Sequence, residues 1–139
     1  ESHHGLTLRY DSQYEFPNSP SWTSFDASVG GGLDNRGYAG AAFDGRFVFY
    51  VPNGESREIH GHALAYDTQK PFGNSNSWVA VNLPGLLGTN AAGYFGAVYD
   101  GTYVYYVPMT IGLPHGLVVR FKTKAPGQIP NTIAGGSFF

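Results

Sequence analysis

The chain repeats itself at an offset of 56 residues. Residues 4–26 match residues 60–82 at 11 of 23 positions without a gap, and residues 37–52 match residues 93–108 at 10 of 16 positions. Self-similarity at a fixed period of this size is typical of solenoids, arrays and propellers, in which a single unit cannot bury its own faces. We therefore expect a structure made of about two to two and a half copies of one small unit.

The most complete copy spans residues 33–82 and predicts four strands, which we label A to D. Strands A and B cover residues 37–44 and 46–52 and are joined by an Asp-Gly hairpin signal. Strands C and D cover residues 60–68 and 77–83 and are separated by a segment rich in turn-forming residues. The unit is therefore predicted to be a four-stranded antiparallel meander.

The B strands are apolar at consecutive positions, residues 47–51 and 103–107, whereas residues 6–11 of the first C strand alternate between apolar and polar. A strand with one wet face would alternate, so both faces of the B strands must be covered. Small sheets stacked around an axis satisfy this requirement, and with 20 glycines, 9 prolines and only 13% charged residues the composition also favours short strands joined by turns. We predict an all-β propeller of four-stranded blades.

The predicted domain covers residues 1–139. A partial blade, residues 1–32, contributes strands C and D; the full blade, residues 33–82, is followed by a second partial blade, residues 83–124, and by a tail, residues 125–139. Two or so blades cannot close a ring and open edges invite pairing, so we expect either a homo-oligomer that completes the propeller or a piece of a longer chain.

The order of an Asp-Gly turn, an aromatic strand, a Tyr-Asp pair and a tryptophan resembles a Kelch-type β-propeller repeat. The matching residues are Asp44, Gly45, Phe49, Tyr66, Asp67 and Trp78 in the full unit, with Asp100, Gly101, Tyr105, Tyr10, Asp11 and Trp22 in the partial ones. The chain has Val-Pro where Kelch repeats carry a double glycine. The resemblance implies a propeller that binds proteins or sugars; the copper oxidases of that type need a tyrosine crosslinked to cysteine, and this chain has no cysteine.

Charge and hydropathy exclude several partners. A formal net charge of −2 with eight scattered Lys and Arg residues offers no basic field for nucleic acid. The longest apolar run, near residues 47–51, is far too short to span a membrane. The lack of cysteine leaves the compartment open and is compatible with the secreted or cell-surface bacterial location that we favour. We expect no cofactor.

Three histidines, His4, His60 and His115, each precede a glycine at the start of a C strand. In a closed ring they would form a circle of imidazoles able to contact a ligand; alternatively, each belongs to a structural hydrogen-bond set with the repeated Asp and Trp residues. His60 and His62 lie on one strand face and are weak candidates for a metal pair.

The aromatic residues and one loop supply further binding candidates. Trp22 and Trp78 could present their faces to sugar rings, although packing also explains aromatics that recur with the repeat. The loop carrying Glu55, Arg57 and Glu58 differs from its counterpart in the next copy and is a candidate contact surface. We therefore predict a non-catalytic binding or scaffold module that recognises a glycan or a protein through loops on one face.

Two alternatives remain open from the sequence. One is a hydrolase or lyase-like enzyme with a His and carboxylate site near the propeller axis. The repeated Asp44 and Asp100, however, stand immediately before glycine, where a hairpin turn explains them. The other alternative is a purely structural part of a larger assembly.

Overall fold

The computed structural model describes residues 4–54 and 59–123, and these residues form nine strands, one short α-helix and three 3-10 segments. The strands are β1 (Leu6–Tyr10), β2 (Trp22–Asp26), β3 (Tyr38–Phe43), β4 (Phe47–Pro52), β5 (His62–Asp67), β6 (Trp78–Asn82), β7 (Tyr94–Tyr99), β8 (Tyr103–Pro108) and β9 (Val119–Lys122), the helix is α1 (Leu83–Leu87), and the 3-10 segments are Ser19–Ser21, Ala27–Gly32 and Ser75–Ser77. The all-β prediction is confirmed.

The strands form three antiparallel sheets. Sheet 1 contains β1 and β2, sheet 2 contains β3 to β6 in sequential order, and sheet 3 contains β7, β8 and β9. Sheet 2 is therefore the predicted four-stranded meander, with A, B, C and D as β3, β4, β5 and β6. Sheet 1 holds the counterparts of C and D, and sheet 3 those of A, B and C.

Aspartates close the A–B hairpins as the turn chemistry predicts. Asp44 Oδ1 accepts the backbone N–H groups of Arg46 and Phe47, at 2.9 and 2.7 Å, and Gly45 adopts a φ of 102° that suits glycine. Asp100 makes the same pair of bonds with the amides two and three residues further on. The two carboxylates therefore hold equivalent turns in sheets 2 and 3.

Sheet 2 has a hydrophobic core on each of its faces. One core joins the side chains of Phe49 and Val51 to Tyr106 and Val119 of sheet 3, and Phe49 meets the Phe121 ring edge to face at 4.9 Å. The other core contains mainly residues of sheet 2, with Ala27 and Phe25 from the first copy; it comprises Ala27, Leu64, Tyr66, Phe72 and Trp78, with Phe25, Tyr38, Val48, Tyr50 and Ala80 packed against it. The prediction that both faces of this B strand are covered is confirmed.

Sheets 2 and 3 approach one another most closely at their A strands. A Cβ atom placed on Gly40 of β3 would lie 3.5 Å from the carbonyl oxygen of Phe95 in β7. The A strands can come this close because they carry glycine and alanine in their middle, whereas larger aromatic side chains separate the other strands. The gap between the sheets therefore widens away from the A strands.

A short helical segment follows each D strand, which the sequence pattern did not predict. Asn82 Oδ1 accepts the Gly85 amide at 3.0 Å and caps α1, and Asp26 Oδ1 accepts the Ser28 amide at 3.0 Å in the equivalent place. Within the two described ranges, no helix has the length and apolar character needed to cross a bilayer. The predicted tail, residues 125–139, lies outside the described residues.

Candidate binding cleft

A cleft of about 390 Å³ lies between β1 and the A–B hairpin of sheet 2. Its walls are the start of β1 on one side and the exposed ends of β3 and β4 on the other. The lining residues are His4, Gly5, Leu6, Thr7, Tyr38, Gly40, Ala41 and Tyr50. The volume falls within the range of small-ligand sites, about 300–1,000 Å³.

The cleft lies where strands A and B of sheet 1 would be expected. In the described part of the chain, sheet 1 contains only the C and D counterparts, so no A or B strand of that sheet covers the A–B hairpin of sheet 2. Tyr94 and Tyr106 of sheet 3 are completely buried beneath sheet 2, whereas their equivalents Tyr38 and Tyr50 are only partly buried. Two aromatic side chains that the repeat normally buries therefore line an open cavity.

The two cleft tyrosines keep their protons. Burial raises the pKa of the Tyr50 hydroxyl to about 12, and that hydroxyl also shares a hydrogen bond with the side chain of Thr7. Burial likewise raises the pKa of Tyr38, whose hydroxyl donates to the His62 carbonyl oxygen at 3.0 Å. At neutral pH the two tyrosines therefore present neutral hydroxyl groups and aromatic rings to the cleft.

Each of the three repeated histidines makes the same local bond. The Nδ1 atoms of His4, His60 and His115 accept the backbone N–H two residues further on, at 3.2, 3.2 and 3.3 Å. Since Nδ1 is the acceptor, the proton of a neutral ring lies on Nε2. In the first two copies the bonded amide belongs to the first residue of strand C, whereas β9 begins only at Val119; His4 is the one of the three that also lines the cleft.

His60 and His62 lie with their rings 5.4 Å apart, but backbone carbonyls engage them. His60 Nε2 lies 3.2 Å from the Gly37 oxygen, and His62 Nδ1 lies 2.9 Å from the Asp34 oxygen. Burial lowers the pKa of the His60 imidazole below its usual value. In residues 4–54 and 59–123 no three His, Asp or Glu side chains are grouped so as to hold a metal ion.

The two tryptophans repeat one arrangement in different surroundings. Trp78 Nε1 donates to the Phe72 oxygen at 3.0 Å, and the residue is 2% exposed. Trp22 Nε1 donates to the Phe16 oxygen at 2.8 Å, and the residue is 37% exposed. Trp78 thus belongs to the core, whereas Trp22 presents part of its ring at the surface.

The repeated aspartates of the C strands also differ between copies. Asp67 forms a two-pronged ion pair with Arg46, with distances of 3.0 and 2.8 Å, and this bonding lowers the pKa of the Asp67 carboxyl. Asp11 accepts the Gln13 amide at 3.0 Å. The His, Asp and Trp residues of a repeat therefore make separate contacts instead of one joint hydrogen-bond set.

The loop candidates Glu55, Arg57 and Glu58 lie outside the described residues. The cleft itself was not predicted. Its signal was present in the sequence, because the first copy contains only the C and D strands and so leaves Tyr38 and Tyr50 without their usual cover.

Comparison of the chain with protein-family models, with curated proteins and with solved structures found no match.

Proposed function

We propose that this chain is a non-catalytic binding module of the propeller type, whose cleft between β1 and the β3–β4 hairpin takes a neutral sugar. The observation that carries the proposal is the pairing of Tyr38 and Tyr50 in that cleft, since the repeat otherwise buries this pair. Aromatic faces stack on the apolar faces of sugar rings, and neutral hydroxyl groups exchange hydrogen bonds with sugar hydroxyls.

The wedge-shaped gap between sheets 2 and 3 supports the propeller arrangement. Blades that radiate from an axis must be closest at their innermost strands, and Gly40 allows such an approach at the A strands. The small residues of β3 and the large aromatics of the outer strands together produce a fan. The Kelch-like order of motifs is in keeping with this arrangement.

The bonding of the repeated polar residues favours binding over catalysis. Asp44 and Asp100 hold hairpin turns, Asp67 is paired with Arg46, and His60 is bonded through both ring nitrogens. A glycosidase requires two carboxyl groups at a defined separation around the scissile bond. Residues already committed to turns and strand starts are poor candidates for that role.

A glycan array followed by calorimetry on the sugars retained tests the proposal. Tyr50→Phe and Tyr38→Phe keep the rings and remove the hydroxyl groups, so each is expected to weaken binding about tenfold, as for loss of a strong hydrogen bond to a ligand. Tyr14→Phe is the matched control because Tyr14 is 60% exposed and does not line the cleft. An array without binders, or binding that neither cleft substitution weakens, would contradict the proposal.

A further inference from the structure

The sheets stack with a constant polarity. We call the face that a sheet presents to the following sheet its leading face, and the face that it presents to the preceding sheet its trailing face. Each junction joins a leading face to a trailing face. The leading face of sheet 2 presents Phe49 and Val51 to sheet 3, whose trailing face presents Val104 and Tyr106. The same trailing positions of sheet 2, Val48 and Tyr50 with Leu64, Tyr66 and Trp78, belong to the core shared with Phe25 of sheet 1.

This polarity leaves two sheet faces uncovered by any described residue. The first is the trailing face of sheet 1, where Leu8 and Trp22 are 61% and 37% exposed, although their equivalents Leu64 and Trp78 are 1% and 2% exposed. The second is the leading face of sheet 3. There Val107 is 49% exposed, although its equivalent Val51 is 0% exposed, and Val98 on the same face is 56% exposed. Each face is a copy of one that the chain buries against another sheet.

One internal contact supplies a specific match between these two faces. Across the junction of sheets 1 and 2, the Arg9 guanidinium lies 5.0 Å from the centre of the Phe72 ring. Arg120 of β9 pairs with Tyr105 as Ala65, the equivalent of Arg9, pairs with Phe49, so Arg120 occupies the position of Arg9; Phe16, 56 residues before Phe72, occupies the position of Phe72. Arg120 is exposed on the leading face of sheet 3, where its guanidinium lies 4.4 Å from the centre of the Tyr103 ring of its own sheet, and Phe16 is 63% exposed beside Trp22. The two halves of a further cation–π contact therefore lie on the two uncovered faces.

We propose that the leading face of sheet 3 binds the trailing face of sheet 1 of a second copy of this chain, with Arg120 placed over the partner copy's Phe16. The contact is heterologous, so it propagates unless the rotation between sheets closes a ring. Two copies supply six sheets, of which two have two strands, two have three and two have four; six sheets lie within the four to eight blades of known propellers, whereas three copies supply nine. The expected species is therefore a closed dimer. This inference rests on the propeller arrangement proposed above.

Native mass spectrometry and sedimentation velocity over a range of concentrations test the assembly. A species containing two 15.0 kDa chains is expected. Leu8→Asp and Arg120→Asp each place a carboxylate in one face, on the C strands that both sheets possess, and both are expected to raise the dimer dissociation constant about 100-fold, as for burial of an unpaired charge. Both residues are exposed in the single chain, so circular dichroism should show an unchanged fold. Val79→Asp is the matched control, because Val79 is 58% exposed on a strand of sheet 2.

Mixing the variants separates a head-to-tail contact from a face that binds its own copy. Leu8→Asp retains an intact leading face on sheet 3, and Arg120→Asp retains an intact trailing face on sheet 1, so the mixture can form one natural contact per pair. Mixed dimers should therefore reappear. If only one of the two substitutions disrupts the dimer, the contact is between identical faces and the proposal is wrong. A wild-type chain that stays monomeric at about 100 μM, a concentration at which weak dimers form, would also overturn the proposal.

The cation–π contact has its own test. Arg120→Ala and Phe16→Ala should each weaken the dimer, and the double variant should weaken it less than the product of the two effects, by about two- to fivefold. Independent effects would remove Arg120 and Phe16 from the proposed contact. Sugar binding measured on monomeric Arg120→Asp keeps the two proposals distinct, because Arg120 does not line the cleft. A dimer without sugar binding contradicts the binding proposal, and a wild-type chain that binds sugar but stays monomeric contradicts the assembly.

Discussion

The glycine of the His-Gly motif is expected to be required in sheet 2 and replaceable in sheet 3. The backbone of Gly61 passes directly beneath the segment that follows strand D, and its carbonyl oxygen accepts the Leu83 amide at 2.9 Å. A Cβ atom added at Gly61 would lie 2.1 Å from the Ala91 oxygen and 2.5 Å from Pro84 Cδ. At Gly116, the same motif position in sheet 3, an added Cβ meets no described atom within 4 Å.

The size of the effect follows from these distances. Cβ atoms are essentially never found closer than 3.0 Å to another heavy atom, so Gly61→Ala requires the Ala91 oxygen to retreat by about 0.9 Å. Neither a backbone carbonyl nor a proline ring can rotate away as a flexible side chain would. Overpacking of this kind costs about 1–3 kcal/mol, and we expect the upper end, about 3 kcal/mol. For a chain of this length that lowers the Tm by roughly 10 °C.

Urea unfolding followed by tryptophan fluorescence measures both variants, because Trp78 lies in the core beside Tyr66 and Phe72. Gly116→Ala should change the free energy of unfolding by less than about 1 kcal/mol, since an alanine without strain mainly reduces the entropy of the unfolded chain. Equal losses in the two variants would refute the reasoning, because the effect would then come from the motif itself and not from the segment after strand D.

Three further predictions test individual contacts. Asp67→Asn should cost about 1.5–3 kcal/mol in urea unfolding by breaking a charged two-pronged bond, whereas Lys122→Gln at the equivalent position of sheet 3 should be neutral. Acidification below about pH 6.5 should destabilise the protein, because the pKa of His60 is lowered in the folded state and the unfolded chain takes up the proton first. His60→Gln should reduce this loss of stability, which thermal unfolding from about pH 8 to 5 would measure. Trp78→Phe should cost about 2–4 kcal/mol through a cavity and an unpaired carbonyl, and Trp22→Phe less than 1 kcal/mol, in the same unfolding assay.

The strands could be predicted because local chemistry specifies them. The Asp-Gly pairs mark the hairpins, and the unbroken apolar run of residues 47–51 requires cover on both sides, which the two cores provide. The helix α1 could not be read in the same way. Its sequence, Leu-Pro-Gly-Leu-Leu, contains two residues that usually mark turns, and it forms because Asn82 caps it and Leu83 packs into the core.

The cleft was harder to predict because it depends on which strands are missing from the neighbouring sheet. Tyr38 and Tyr94 stand in the same Gly-Tyr-x-Gly-Ala pattern, and only the stacking of sheets makes one line a cleft and the other lie fully buried. The residues around each tyrosine do not reveal that difference, because burial depends on which strands the adjacent sheet contributes; only the order of the copies, the first of which lacks strands A and B, indicates it. The histidines illustrate the converse: their register suggested a shared site, and the bond that repeats joins each imidazole to the backbone amide two residues further on.

Comparing equivalent positions therefore says more about function here than the motifs themselves. Where copies share both the residue and its hydrogen bonds, as Asp44 and Asp100 do in accepting two turn amides each, the residue serves the fold. Where the residue is shared and its cover is not, as with Leu8 against Leu64, the exposed copy retains a side chain suited to a contact that no described residue makes. An exposed leucine by itself needs no explanation. A set of such residues on two faces whose equivalents are buried at an internal junction does require one, and the dimer proposed above would provide it.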